Sequence, residues 1–288
     1  MSDPFQQALH ATLPMLKKIQ HGIKPAPKGS TSALKKLRDA ALAGCPPGQA
    51  AAPPQSTPGT GAAKRPAAQP ANPPIAPAVP AGGWTMESLR KAVLACEKCP
   101  HLVRSRTQVV FGVGNPGAEL LFVGEAPGAD EDAQGEPFVG KAGQLLTKII
   151  QAMGFERSDI FIANVLKCRP DMPPGESGNR KPKPAEMATC LPWLVEQIAL
   201  IKPRVIVALG ATAVEGLLGE TSPLRDLRGR WLEFQGTPVM VTYHPAYLLR
   251  NQSLSEKRKV WEDMLLVLEK LEKKITAKQR AFFTKASG

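Results

Sequence analysis

Several stretches of this sequence carry residues able to do chemistry. CEKC holds Cys96 and Cys99 at C-x-x-C spacing, and Cys168 and Cys190 follow, 22 positions apart. All-thiolate coordination by four cysteines suits zinc or an iron–sulfur cluster. Spacing does not separate the two metals, and buried free cysteines are the third reading. Cys45 lies apart in a proline-rich stretch and reads as incidental, and His101 reads as a surface or capping residue rather than a fifth ligand. A second stretch, GEAPGADEDAQGEPFVGKAGQLL from Gly124 to Leu146, gathers Glu125, Asp130, Glu131 and Asp132 in a chain of net charge +12. Phe138 is the lone aromatic in it. Asn164 closes an apolar run, where its amide can both donate and accept or simply make a turn. Of the four histidines, at 10, 21, 101 and 244, only His244 follows such a run, in YHPAYLLR.

The elements that must position these groups are legible in the same rows. Glu119–Val123, Ile160–Leu166, Arg204–Leu209 and Val239–Thr242 are short, near-continuous apolar runs, the pattern of buried parallel strands. Helical stretches are predicted at Met86–Ala95, with Thr85 as N-cap, and at Lys141–Met153, Ala185–Ile201 and Ala211–Leu218. Alternation of this kind predicts an α/β three-layer sandwich around a central four-stranded parallel sheet, preceded by a disordered tail. Ligands of such sheets bind at the carboxyl ends of the strands, which is where Glu125, Asn164, Lys167, Gly210 and His244 fall.

Composition divides the chain in three. Residues 1–83 hold nine Lys/Arg against two acids. They include helix-like stretches at Phe5–Gln20 and Ser32–Ala43, then eleven prolines between Cys45 and Gly83. Such a segment buries too little apolar surface to offset its ordering entropy, so a basic, mostly disordered extension is expected. It could add nonspecific DNA affinity or bind a partner. A folded domain is expected over 84–271 and a basic tail over 272–288. No apolar run approaches the ~18 residues of a membrane span, and no secretory signal pattern opens the chain. A soluble, cytoplasmic, monomeric protein (nucleoid-associated if bacterial) with a polyanionic partner is expected.

From Trp84 to Leu271 the chain resembles the iron–sulfur, family 4 uracil-DNA glycosylases. CEKCPHLVRSRTQVVFGVGNP, GEAPGADEDAQGEPFVGKAGQLL, IANVLKCRP and HPAYLLRN carry the resemblance, in that order. It implies hydrolytic excision of uracil from single- or double-stranded DNA, leaving an abasic site. The nucleotide is flipped from the stack, and a carboxylate beside the sugar favours an oxocarbenium-like state. By resemblance, Glu125 places water and stabilises charge, with Glu131 a second acidic candidate, while Asp130 and Asp132 read as a solvated loop. Phe138 stacks on uracil, Asn164 reads its edge, Ala126 lets backbone amides approach the base, and His244 donates to the departing anion. Leu248, Leu249 and Arg250 form a DNA wedge, against packing of a helix start on the core. Arg169, Arg180, Lys181 and Lys183 are phosphate-contact candidates. Cys96, Cys99, Cys168 and Cys190 match the family's 4Fe–4S ligands in order.

The loop Arg169–Glu186 is longer than the family pattern, with MPPGESG as the insertion. LRDLRGRWLEFQG lacks the histidine of a related DNA-crosslinking branch, which argues against that activity. QRAFF, Gln279–Phe283, weakly resembles sliding-clamp-binding peptides, against a frayed basic helix end. The rival to the enzyme is a non-enzymatic, cluster-bearing nucleic-acid-binding protein with the same fold.

Overall fold

Apolar runs that alternate between the two sides of a sheet need cover on both. The computed structural model, which describes residues 83–284 except Pro174, supplies it. Four parallel strands, β2 (Leu120–Gly124), β3 (Phe161–Asn164), β4 (Val205–Leu209) and β6 (Thr237–Thr242), lie in the order β3-β2-β4-β6. Successive side chains point to opposite faces. Leu121, Val123, Ala163, Ile206, Ala208 and Val239 face one core and Leu120, Phe122, Ile162, Val205, Val207 and Met240 the other. The first core is closed by α1 (Met86–Leu94), α2 (Pro100–Ser105), α5 (Pro184–Ile201), α6 (Ala211–Leu218) and α7 (Leu224–Leu227). The second is closed by α4 (Lys141–Met153) and α9 (Leu254–Lys270). The three-layer sandwich is thus present, and no helix among the described residues is long and apolar enough to cross a membrane.

The sheet has six strands where the sequence predicted four. Both additions are antiparallel edges: β1 (Val113–Gly114) on β3 and β5 (Trp231–Phe234) on β6. β1 has only two residues, and Gly114 lies so close to β3 that a Cβ would sit 1.9 Å from the Ile160 carbonyl oxygen. β5 alternates exposed and half-buried residues, so it lacks the continuous apolar run of a central strand. Gln235 (φ 49°) and Gly236 (φ 83°) join it to β6 through a two-residue turn of the kind that suits a twisted hairpin.

Local signals explain the helix ends. The Thr85 hydroxyl accepts from Ser88 N, as expected of the N-cap. α4 stops at Gly154, whose φ of 92° is left-handed. α9 has no counterpart among the predicted helices, although Val260, Trp261, Met264, Leu265 and Leu268 recur at helical spacing.

Two loop expectations change. Residues 129–134 form a short helix, α3 (Ala129–Gln134), and Asp132 within it is buried at 3% exposure rather than solvated. Its two oxygens accept from Thr107 N at 3.0 Å each, tying the helix to the segment that leads into β1. At the C-terminus, α10 (Ala277–Arg280) packs on the domain. The Gln279 side chain donates to Ala152 O, Trp261 Nε1 donates to Gln279 O, and the Phe282 ring packs tilted against Trp261, 5.2 Å between centroids. The basic extension, its helix-like stretches and Cys45 lie outside the described residues.

Replacing Asp132 by Ala removes the charged acceptor of the Thr107 N–H, a hydrogen bond worth about 1.5–3 kcal/mol. The urea midpoint should fall accordingly at unchanged slope, and a midpoint equal to the parent protein's would show that water replaces the carboxylate.

Candidate active site

β2 and β3 run in a register that pairs Gly124 with Asn164, the last residue of each strand. The chain crosses from β2 to β3 on one side and from β3 back past β2 to β4 on the other, and a crevice opens beyond these strand ends. A cleft of about 350 Å³ lies there, lined by Glu125, Ala126, Glu131, Phe138, Asn164 and His244 among others.

Asn164 is 2% exposed, and its Oδ1 has no hydrogen-bond partner among the described residues. An unpaired buried acceptor costs about 1–3 kcal/mol, so a ligand N–H reaching it would recover that amount. Phe138 is buried with φ 56°, in the left-handed region that a bulky residue seldom adopts. Arg157 holds that turn by donating to Pro137 O (2.9 Å), Phe138 O (3.4 Å) and Thr147 Oγ1 (3.1 Å). Arg157 is not among the residues the sequence singles out, and nothing about an arginine in FERSD marks it. Gly124 makes room for both groups: a Cβ there would lie 2.4 Å from Asn164 Oδ1 and 2.5 Å from the Phe138 ring.

His244 caps α8 (Pro245–Arg250), and its Nδ1 accepts from Ala246 N at 3.1 Å. That bond leaves the ring proton on Nε2. The ring lies 5.6 Å from Phe138, centroid to centroid. Burial pushes its pKa down to about 4, with Arg250 adding to the effect and Glu131 opposing it. His244 is therefore a neutral donor at pH 7.

Glu125 is the first residue beyond β2. Burial raises its pKa above the usual 4.5, against the Thr212 hydroxyl and the Lys181 ammonium, while Glu215 adds to the rise. Glu131 lines the cleft, but its carboxylate is committed to backbone N–H groups. One oxygen accepts from Gly128 (3.0 Å), the other from Val139 (3.1 Å) and Gly140 (3.0 Å). It fastens the two arms of the GEAPG loop together.

The three residues of the expected wedge separate. Leu248 is 4% exposed and packs into the domain on the far side of α8, so it cannot project as a tip. Leu249 is 38% exposed, and Arg250 lines the cleft mouth. The short helix turns consecutive side chains about 100° apart, which sends Leu248 inward and its neighbours outward.

Of the phosphate-contact candidates, Arg180 has no free donor. Its Nε donates to Asp171 O, Nη1 to Lys181 O and Glu186 Oε2, and Nη2 to Glu186 Oε1 and Asp171 Oδ1. A guanidinium has five N–H groups, and all are used. Arg169 donates to Gly178 O, Lys181 pairs with Glu215 at 2.6 Å, and Lys183 is exposed. His101 Nε2 lies 2.8 Å from Glu186 Oε1.

Cys96, Cys99, Cys168 and Cys190 line one cavity with Val93, Arg106 and Trp193, and none forms a disulfide. Cys99 caps α2 and Cys190 sits in α5. Burial raises the thiol pKa of Cys99 and Cys168 and pushes Cys190 up to about 12. Four thiols, Cys168 and Cys190 buried and Cys96 and Cys99 half-buried, around one cavity and without a disulfide suit a cation that holds them as thiolates. Arg106 Nη1 donates to Cys168 Sγ (3.1 Å), and Lys167 N donates to Cys190 Sγ (3.3 Å). Lys167 is itself buried, with Nζ 2.5 Å from Gln197 Oε1.

The cleft thus brings together an amide, an aromatic face and a neutral imidazole at the carboxyl ends of a parallel sheet. The family model described as "Uracil DNA glycosylase superfamily" matches residues 111–265. A type-4 uracil-DNA glycosylase of Thermotoga maritima is 45% identical over 182 residues, covering 62% of this chain and 91% of that protein. One from Archaeoglobus fulgidus is 40% identical, covering 60% of this chain and 87% of that protein. A type-5 uracil-DNA glycosylase of Thermus thermophilus is 29% identical, covering 46% and 71% respectively. The chain belongs to the uracil-DNA glycosylase superfamily, in its type-4 branch.

Nitrogen-15 NMR of the ring should show His244 neutral, with its proton on Nε2, down to about pH 5. Titration near the ordinary value of about 6.5, or a proton on Nδ1, would contradict the assigned geometry.

Proposed function

We propose that this protein flips uracil out of DNA and hydrolyses its N-glycosidic bond, releasing the free base and leaving an abasic site. The unpaired Asn164 Oδ1, facing a cleft shared with Phe138 and His244, is the observation that carries this reading. Uracil offers an N3–H donor beside the O4 acceptor, and a side-chain amide meets both at once. Cytosine presents the opposite pair. Phe138 supplies the stacking face, and Ala126 and its glycine neighbours leave backbone amides accessible to the base.

As the glycosidic bond breaks, positive charge grows on the sugar and negative charge on the base. The Nε2–H of His244 donates to uracil O2 and stabilises the anion, and a neutral ring does so without itself competing for a proton. The Glu125 carboxylate stands on the sugar side, stabilises the cation and places the attacking water. Its raised pKa sets the acid limb: the ionised, active form is lost as pH falls through a value above the usual 4.5. Glu131 positions the loop rather than the base. Leu249 and Arg250 are the tip that fills the vacated stack, and the DNA is single- or double-stranded, an unpaired nucleotide needing less energy to flip.

Cys96, Cys99, Cys168 and Cys190, from the loop after α1, the loop after β3 and helix α5, would hold a 4Fe–4S cluster. Hydrolysis needs no electron transfer, so the cluster would serve a structural or DNA-positioning role. Iron and acid-labile sulfide in the purified protein, against zinc, separate the two metals. The clamp reading of Gln279–Phe283 would require release of the contacts that Gln279 and Phe282 make inside the domain. Action on DNA in the cytoplasm, as a monomer, completes the reading.

A labelled oligonucleotide with one deoxyuridine tests it. The wild-type protein should cut at uracil after alkali and leave a thymine control intact. His244→Ala and Asn164→Ala should each lose about 10²–10³ in single-turnover rate, and Phe138→Ala should lose about 1–3 kcal/mol of binding. Tight binding of deoxyuridine DNA without any cleavage, from cluster-loaded protein, would favour the non-enzymatic reading instead.

A further inference from the structure

The connection from β3 to α5 runs from the cysteine cavity to the cleft, and one ion network spans it. At its centre the Arg180 guanidinium, 20% exposed, is saturated by Asp171, Lys181 and Glu186. Glu186 is 3% exposed and carries two further bonds, from Lys183 N at 2.7 Å and with His101 Nε2 at 2.8 Å. Both ends of this carboxylate touch cysteine-bearing elements. His101 lies two residues beyond Cys99 in α2. Glu186 precedes Cys190 by four residues in α5, on the same face of the helix.

The other end of the network reaches the cleft. Arg180 and its neighbour Asn179 both line it. Asn179 Nδ2 approaches the GEAPG loop, 3.1 Å from where a Cβ on Gly128 would stand. Asn179 is exposed and makes no side-chain hydrogen bond among the described residues, so its amide is free for a ligand. Asp171, Glu186 and His101 could hold a cation by their spacing. Arg180 already supplies the positive charge there, so the group reads as a clamp rather than a metal site.

We propose that Arg180 is a positioning residue: locked by Glu186 and Asp171, it holds the Asn179 amide at the cleft wall against the deoxyribose-phosphate of the flipped nucleotide, and through Glu186 and His101 it makes that wall depend on the cysteine-bearing elements. This rests on the glycosylase reading of the cleft. It gives the cysteine cavity a route of action on substrate that needs no electron transfer. A lysine at 180 would keep the charge but offer three donors in place of five, and no planar fork.

The test uses the full chain with its metal bound, and reads Arg180→Lys, Asn179→Ala and the double variant on deoxyuridine oligonucleotide. Each single variant should raise KM about tenfold while kcat changes less than about threefold, and the double variant should be no worse than Arg180→Lys, since the two act as one unit. Additive losses, or a wild-type KM in Arg180→Lys, would overturn the proposal. Hydrogen exchange gives a readout independent of activity. Amides of residues 176–183 should be protected in the wild type and exchange faster in Glu186→Gln, and in wild type stripped of metal by a chelator. Unchanged exchange in both would overturn the link to the cysteines. A wild type that cuts no uracil would refute the glycosylase reading alone, with exchange still deciding whether the clamp exists.

Discussion

The register of β2 against β3 is the constraint on which the site depends. It sets Gly124 beside Asn164 at the carboxyl edge of the sheet. Because position 124 has no side chain, an amide and an aromatic ring converge where a methyl group would collide with both. A slip of one residue would turn Asn164 to the opposite face of the sheet and remove it from the cleft. The central strands are buried on both faces, so a slip would exchange the side chains packed into the two cores and misfit both.

What the sheet positions is unfavourable in isolation. Asn164 keeps an unpaired buried acceptor and Phe138 a left-handed backbone, each at a cost of about 1–3 kcal/mol. Such features persist only where surroundings impose them. Arg157 braces the Phe138 turn, Glu131 joins the arms of the loop, and the Ala246 N–H fixes the His244 ring. Burial drives Glu125 and His244 toward their neutral forms. A site dry enough to do that also strengthens every fixed dipole aimed at charge developing in the reaction.

Much of this was legible in the residues. Four apolar runs named the central strands, and their ends named the chemistry. Legibility failed where a residue's role comes from a distant partner. Arg180 reads as a free basic side chain until Glu186 and Asp171 are seen around it, and Asp132 reads as solvated until Thr107 is placed against it. Leu248 and Leu249 are equivalent in sequence, but the rotation of a short helix buries one and exposes the other. The edge strands escaped because two residues, or an alternating surface strand, carry too little apolar signal, although the Gln235–Gly236 turn was a hint.

The central claim is that Asn164 Oδ1 accepts the N3–H of uracil. Competition of free uracil and of 3-methyluracil with excision from a deoxyuridine oligonucleotide tests it most directly. Methylation removes the N3 donor and leaves the ring and its carbonyl groups in place. The account predicts inhibition by uracil and a loss of at least about tenfold in potency for 3-methyluracil, in line with a buried acceptor left unpaired. Equal inhibition by the two would contradict it.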